Sequence, residues 1–520
     1  MKKILLIVLS LFVFGLIGCT NTTSSTQSTT ENDKTTTKED VTTTKEDVTT
    51  TEGAKLDAPT GLSIEKGVVS FNEVEGADSY TLKIMQEGAT VMNISVENGT
   101  NISGLLEDGD YEAQIYAKKG TSRSSLSEAV EFYIGVKQID ITTVNELSGE
   151  YLSSESYVNM SGRHYYNEND SRMYFYFTAS GFKVSFTGTK LEAKLYATGY
   201  NKSNNEARIV VLVDGETYPE GGTTIVLNKA AEATYTLCSD LDNKKHTVEV
   251  LKRSEATDNT IAITSLTTDG NFETPEADKE KSILVLGASG STGYGNLAKN
   301  TSVVKNTYNS DGLKAFAYLT ARMYDTEIDE INASGWGTKW GWNSQSGLAN
   351  IPAVLSKVGI NSTSSIEKVG YEYTRDSYDL VIINLGMNDF NAYLKNLGDD
   401  AFATKLEEYK AATKAFYNVL LDAYDCPILI LHTSNTNDKA EGKYNEQVAK
   451  EINDSLESPR IFSIIIPANG SGTNYGANSH ANVQTHIWTA DRIAEWIEAN
   501  LGWTKVRANL TFTPSRDQVD

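Results

Sequence analysis

The sequence predicts a multidomain protein in which all-β domains precede an α/β domain built on a parallel sheet. Three observations predict it. From residue 56 to about 272, short alternating stretches are bounded by turn residues, the period of half-buried strands. After Asp278-Lys279-Glu280-Lys281 the apolar stretches become continuous, and helical patterns lie between them, as in a parallel sheet covered on both faces. The hydrophobic share of 39% against 22% charged residues lets most of the 520 residues bury cores. That length suits roughly three to four domains.

Composition excludes several functions. With 69 acidic against 46 basic side chains the formal net charge is −23, which argues against a nucleic-acid reader held by a basic surface. A neutral or cationic partner is favoured. Cys19, Cys238 and Cys426 cannot make a disulfide framework or a zinc cluster of the usual spacing. Five histidines leave little material for a metal site, so neither metal nor cofactor is expected.

In chain order, Lys2 and Lys3 precede an apolar run, Ile4–Ile17, that ends at Gly18 and Cys19. This is the layout of an export signal, and the run is too short to span a bilayer as a lasting helix. Leu16-Ile17-Gly18-Cys19 resembles the lipobox of bacterial lipoproteins. That resemblance implies a signal peptide over 1–18, lipidation of Cys19 and a membrane-anchored protein on the bacterial cell surface. The alternative is an ordinary signal peptide with an incidental cysteine. Residues 19–55 are almost all polar, with Thr-Thr-Thr-Lys-Glu-Asp-Val at 35–41 and again at 42–48, and read as a solvated tether.

Val68–Phe71, Ser79–Ile84, Tyr111–Ala117 and Ala129–Ile134 read as short strands of a β-sandwich over 56–136. Pro59-Thr60-Gly61-Leu62, Gly76-Ala77-Asp78-Ser79-Tyr80 and Leu106-Glu107-Asp108-Gly109-Asp110-Tyr111 resemble a fibronectin type III module, with Tyr111 at the tyrosine corner. A spacer is the plain role for such a module; polysaccharide binding is the other. Residues 137–272 continue all-β through Met173–Phe177, Phe182–Phe186, Leu191–Tyr196, Ala207–Val213, His246–Leu251 and Thr260–Ile263, with a hairpin turn at Val213-Asp214-Gly215-Glu216. Tyr157, Tyr165, Tyr166, Tyr174 and Tyr176 fit a packed core better than a sugar platform.

In the last domain, 273–503, the buried strands are Ser282–Leu286, Leu380–Leu385, Pro427–Leu431 and Ile461–Ile466. The helical patterns are Gly312–Met323, Ala401–Tyr424 and Thr489–Leu501, and residues 504–520 form a tail. Ligands of such sheets sit beyond the carboxyl ends of the strands, which selects 287–295, 332–343, 386–390 and 432–438. The first reads Gly287-Ala288-Ser289-Gly290-Ser291-Thr292-Gly293-Tyr294-Gly295. It lacks the lysine or glycine spacing of a phosphate loop and presents a serine at a tight turn. Gly386-Met387-Asn388-Asp389 follows another strand, and an asparagine there offers N–H donors to a developing oxyanion. Gly476-Ala477-Asn478-Ser479-His480 precedes the last helix.

The order Ser289, Gly335 (within Asn332-Ala333-Ser334-Gly335-Trp336-Gly337), Asn388, His480 resembles the SGNH (GDSL-like) hydrolases. Gly162-Arg163, Lys252-Arg253-Ser254-Glu255 and His480-Ala481-Asn482-Val483-Gln484-Thr485-His486 extend the resemblance to family 2 carbohydrate esterases. It implies a jelly-roll domain ahead of a three-layer α/β domain, acting together to remove acetyl groups from polysaccharide, over about 137–503. By that resemblance Ser289 is the nucleophile and His480 the general base. Ser289 N–H, Gly335 N–H and the Asn388 side chain form the oxyanion hole. Trp336, Trp340 and Trp342 cluster nearby, and an indole face suits a pyranose ring, although packing of the loop is an equal use for any one of them.

Two positions depart from the pattern. Ala288 replaces the family's block-one aspartate, and Ala477 and Asn478 stand where an acid usually precedes the histidine. Some members work with a Ser–His dyad and a backbone carbonyl, leaving Asn478 as a candidate orienter of the ring. A degenerate, sugar-binding descendant is the alternative class. His486, His432, His164 and His246 are weaker bases by position, and Cys426 is a core residue rather than a nucleophile. The expected partners are an acetylated polysaccharide or oligosaccharide and, through Cys19, a membrane, with no nucleic acid. Oligomeric state is not legible.

Overall fold

The structure, a computed structural model, describes residues 56–107, 109–135, 144–342, 350–469 and 475–519. The export signal, Cys19 and the tether lie outside the described residues. Contacts divide the chain into two units, with the boundary after Tyr133. In the first, Gly109–Lys119 pairs antiparallel with Ser79–Gln86, which pairs with Ala89–Val96. Every second residue from Tyr111 to Ala117 is buried, as the alternation requires. The Tyr111 hydroxyl donates to the Glu107 carbonyl at 2.9 Å, tying the strand to the turn before it. Thr60–Glu65 and Ala89–Val96 are strands the sequence does not mark, because both show mostly solvent-facing residues and no buried alternation.

The second unit opens with two antiparallel sheets around one core. The first has the order 164–167, 172–175, 261–268, 191–197, 232–238; the second has 223–227, 207–213, 244–252, 181–188, 271–273. Phe175, Phe182, Phe186 and Phe272 fill the space between them. Asp214 and Gly215 do make a turn, closed by the Glu216 N–H on the Val213 carbonyl at 3.1 Å, but the returning strand begins only at Thr223. Leu191–Ala197 alternates between buried and half-buried, whereas Ala207–Val213 is buried on both faces. The cause is a second layer: Val210, Leu212 and Leu251 pack into one cluster with Leu313, Phe316 and Leu319 of the α/β half.

That half has five parallel strands in the order 327–332, 282–287, 380–384, 428–432, 461–465. Alternate residues of each central strand face opposite layers. Leu284, Leu286, Val381 and Ile383 pack with Phe416, Tyr417 and Val448 from helices Asp399–Ala423 and Glu441–Asn453. Ile283, Val285, Leu380 and Ile382 pack with Leu319 and Ile493 from helices Phe316–Tyr324 and Val483–Leu501. Two buried faces explain the unbroken apolar runs. The Ser282–Gly287 strand sits between its two crossover partners, so a crevice opens at its carboxyl end. Residues 504–519 pack onto the domain rather than trail from it: the Val519 N–H donates to the Leu297 carbonyl, and Lys314 pairs with the fully buried Asp517 at 2.7 Å.

Candidate active site

A cavity of about 740 Å³ lies at that crevice, within the range of small-ligand sites. Segments following all five strands line it, through Ser289, Gly335, Asn388, Thr433 and Pro467 among others, together with His480. Ser289 Oγ lies 2.9 Å from His480 Nε2, across 191 residues of chain. The loop carrying His480 is seated by its backbone: the Ala477 N–H donates to the Gly295 carbonyl at 3.0 Å and the Asn478 N–H to the Thr301 carbonyl at 3.2 Å. Ala477 packs so closely that a Cβ at position 295 would stand 2.3 Å from its methyl, so Gly295 is required there. Asn478 and Ser479 both adopt left-handed backbone, φ 50° and 64°, at an expected cost of about 1–2 kcal/mol each that the docked loop sustains.

Burial pushes the His480 ring below its ordinary pKa, while the backbone carbonyls of Asn478 and Ala477 pull the other way. Its Nδ1 is buried and meets no partner at hydrogen-bonding geometry among the described residues. The two carbonyls therefore act on it as nearby dipoles rather than as a formed bond. No hydrogen bond joins the Asn478 side chain to the ring. Its amide donates to the Tyr294 hydroxyl at 3.0 Å, because the left-handed backbone turns the side chain toward that phenol. Tyr294 itself stacks on His480 with centroids 4.0 Å apart. Nothing periodic in Gly293-Tyr294-Gly295 signals that contact.

The donors are arranged by the next two segments. Gly335 has φ 83°, which only glycine adopts without strain, and no described residue accepts its N–H or that of Ser289. Asn388 is nearly buried and spends one amide hydrogen on the Trp336 carbonyl at 2.7 Å, leaving the other free. Asp389 accepts the N–H groups of Thr338, Lys339 and Trp340 at 2.9, 2.8 and 2.7 Å, bracing the loop beyond Gly335. Burial pushes its carboxyl up to about 6 against those three bonds.

The three tryptophans separate. Trp336 is 1% exposed, with its bulk in the core and one edge at the cavity. Trp342 stands on the rim, 57% exposed. Trp340 does not line the cavity, because its ring packs on Tyr393 and the Phe390 cluster. Among the other histidines, His486 lines the cavity but its Nδ1 accepts the Phe316 N–H at 3.4 Å, and burial drives the ring down to about 3. His432 is buried with Nε2 3.1 Å from Glu446, and His164 and His246 sit in the antiparallel sheets. Burial raises the Cys426 thiol to about 12, which leaves it inert.

Residues 160–275 match the family model Carbohydrate esterase 2 N-terminal. The chain is 23% identical over 330 residues to the cellulase/esterase CelE of Acetivibrio thermocellus, covering 62% of this chain and 38% of that protein. It is 25% identical over 240 residues to the acetylxylan esterase/glucomannan deacetylase of Cellvibrio japonicus, covering 46% of this chain and 63% of that one. It thus spans less than two thirds of either relative. A family two carbohydrate esterase from Clostridium thermocellum, solved in complex with cellohexaose, shares the fold at TM-score 0.56 and 20% identity, over 67% of this chain and 100% of that chain.

Proposed function

We propose that the chain is a carbohydrate esterase that removes O-acetyl groups from hemicellulose-type polysaccharide by a Ser–His mechanism. The observation that carries this reading is the 2.9 Å approach of Ser289 Oγ to His480 Nε2 beside two backbone N–H groups that no described residue accepts. Ser289 attacks the acetyl carbonyl and passes its proton to Nε2. The oxyanion is met by the N–H groups of Ser289 and Gly335 and the free hydrogen of Asn388, each worth about 3 kcal/mol. Collapse breaks the bond to the sugar oxygen, which takes the proton from His480 and leaves as the hydroxyl. Water then attacks the acetyl-serine with His480 as base, releasing acetate and restoring Ser289. Trp342, on the rim, offers a face to a pyranose ring.

The same reading places residues 56–136 as a fibronectin-type spacer and 137–272 as a jelly-roll partner of the catalytic domain. Cys19 is the lipid anchor at the bacterial surface, supported by the lipobox-like Leu16-Ile17-Gly18-Cys19. Hydrolysis of an aryl acetate tests the activity. Wild type should turn it over well above Ser289→Ala, and equal background rates for the two would favour a binding protein that uses the cleft without turnover.

A further inference from the structure

The segment that carries Gly335 is held from the antiparallel half of the unit. Glu255 follows the Lys244–Lys252 strand and is 2% exposed. One carboxylate oxygen accepts the Ser334 N–H and the other the Ser334 hydroxyl, each at 2.8 Å. The Lys305 ammonium lies 2.9 Å from Glu255 and also pairs with Asp258. Lys252, fully buried, donates to the carbonyls of Ser254 and Glu255 at 2.7 and 2.9 Å. On the far side of Ser334, the Thr292 hydroxyl lies 3.4 Å from the Ser334 Oγ and 3.2 Å from the Ser289 carbonyl, to which it donates. One carboxylate therefore anchors the residue before Gly335, and the Thr292 hydroxyl, whose proton is spent on the Ser289 carbonyl, packs against Ser334 from the nucleophile turn.

An ionised carboxylate so deeply buried is costly unless paired and hydrogen-bonded. Burial opposes its charge, but Lys305 and the two Ser334 bonds outweigh burial and hold Glu255 below the ordinary carboxylate range. Ser289 meets His480 at Nε2, Tyr294 stacks on its ring, and the neutral His486 lines the same cavity. Lys305, paired to Glu255, lies 5.4 Å from the Tyr294 ring, so that the opposed charges of Glu255 and Lys305 both act on the imidazole. Among the charges that act on the ring, Glu255 favours its protonated form and Lys305 opposes it.

We propose that Glu255 is a positioning residue for ester hydrolysis: it aims the Gly335 N–H through Ser334, and its charge faces the His480 imidazolium where the histidine-proximal acid is absent. This rests on the esterase reading. During attack the ring gains a proton and a positive charge, and a fixed negative charge nearby favours that state without touching it.

The test compares the full chain with Glu255→Gln and Ser334→Ala on an aryl acetate across the pH range of activity. Glu255→Gln should lower kcat about tenfold with KM within about twofold, and move the acidic limb about 0.5 pH lower, because the ring loses a charge that raised its pKa. Ser334→Ala should lower kcat several-fold and leave that limb in place. A Glu255→Gln protein whose kcat falls with the limb unmoved, or whose kcat is unchanged, overturns the proposal. If that variant fails to fold, Ser334→Ala decides alone, and a kcat within about twofold of wild type overturns it. Wild-type turnover no greater than that of Ser289→Ala is a different result, because it removes the esterase reading itself.

Discussion

Asn388 divides its amide between structure and chemistry, one hydrogen on the Trp336 carbonyl and one left for substrate. Asn388→Ala should lower kcat by about 100-fold with a small change in KM, since the lost donor matters mainly to developing charge. A change confined to KM would make Asn388 a ground-state contact. Asn478 is the opposite case. Its side chain serves Tyr294, so Asn478→Ala should cost about threefold at most, against a loss of three or more orders of magnitude for His480→Ala. Equal losses would make Asn478 an essential orienter. Asn388 lies in the first turn of the short helix Met387–Ala392 and Asn478 in the turn Ala477–Ser479, and the sequence picks them out equally well. Their difference lies in side-chain direction, which backbone φ decides at Asn478 and which no local pattern records.

The closing helix Val483–Leu501 carries its own pH record. Asn482 caps it by accepting the Thr485 N–H, and His486 on its first turn is buried against Phe316. Burial lowers the His486 pKa to about 3, from about 6.5 when unfolded. Between those values the unfolded state binds the proton and the folded state does not, so this group's contribution to stability is intact above 6.5 and is lost as pH falls. The slope is about 1.4 kcal/mol per pH unit. His486→Gln should therefore flatten the fall in urea-unfolding free energy between pH 6.5 and 4.5 by about 2–3 kcal/mol. An unchanged slope would show that the ring is protonated in the fold. At this scale the continuous apolar strands were legible and Glu327–Asn332 was not. It is an edge strand reading Glu-Ile-Asp-Glu-Ile-Asn, and its Glu330 is buried by tertiary contacts that its composition argues against.

The antiparallel and parallel halves belong to one compact unit. Arg163 donates to the carbonyls of Val354, Leu355 and Lys357 at 3.1, 2.9 and 2.8 Å and lies over the Tyr371 ring. Tyr218 donates to Asp311 at 2.5 Å, and Arg253 to the Ser310 carbonyl at 3.1 Å. Residues 273–520 alone would expose the apolar face that covers Val210, Leu212 and Leu251 and would lose Glu255. They should therefore be insoluble or inactive on polymer, and a soluble, cooperatively unfolding, fully active fragment would refute a shared core. By itself the sequence determined the order of the layers, since period-2 alternation and continuous apolar runs are local consequences of one or two buried faces. It also put Ser289 and Asn388 on turns after buried strands, while Gly335 and His480 joined them only through the family resemblance. Only the tertiary structure decided which polar groups face one another. The 2.9 Å contact of Ser289 with His480, Tyr294 on the imidazole and Glu255 on Ser334 join residues that the chain keeps far apart or places in different layers. Such contacts are set by how sheets and loops pack, and packing leaves no period in the sequence to read.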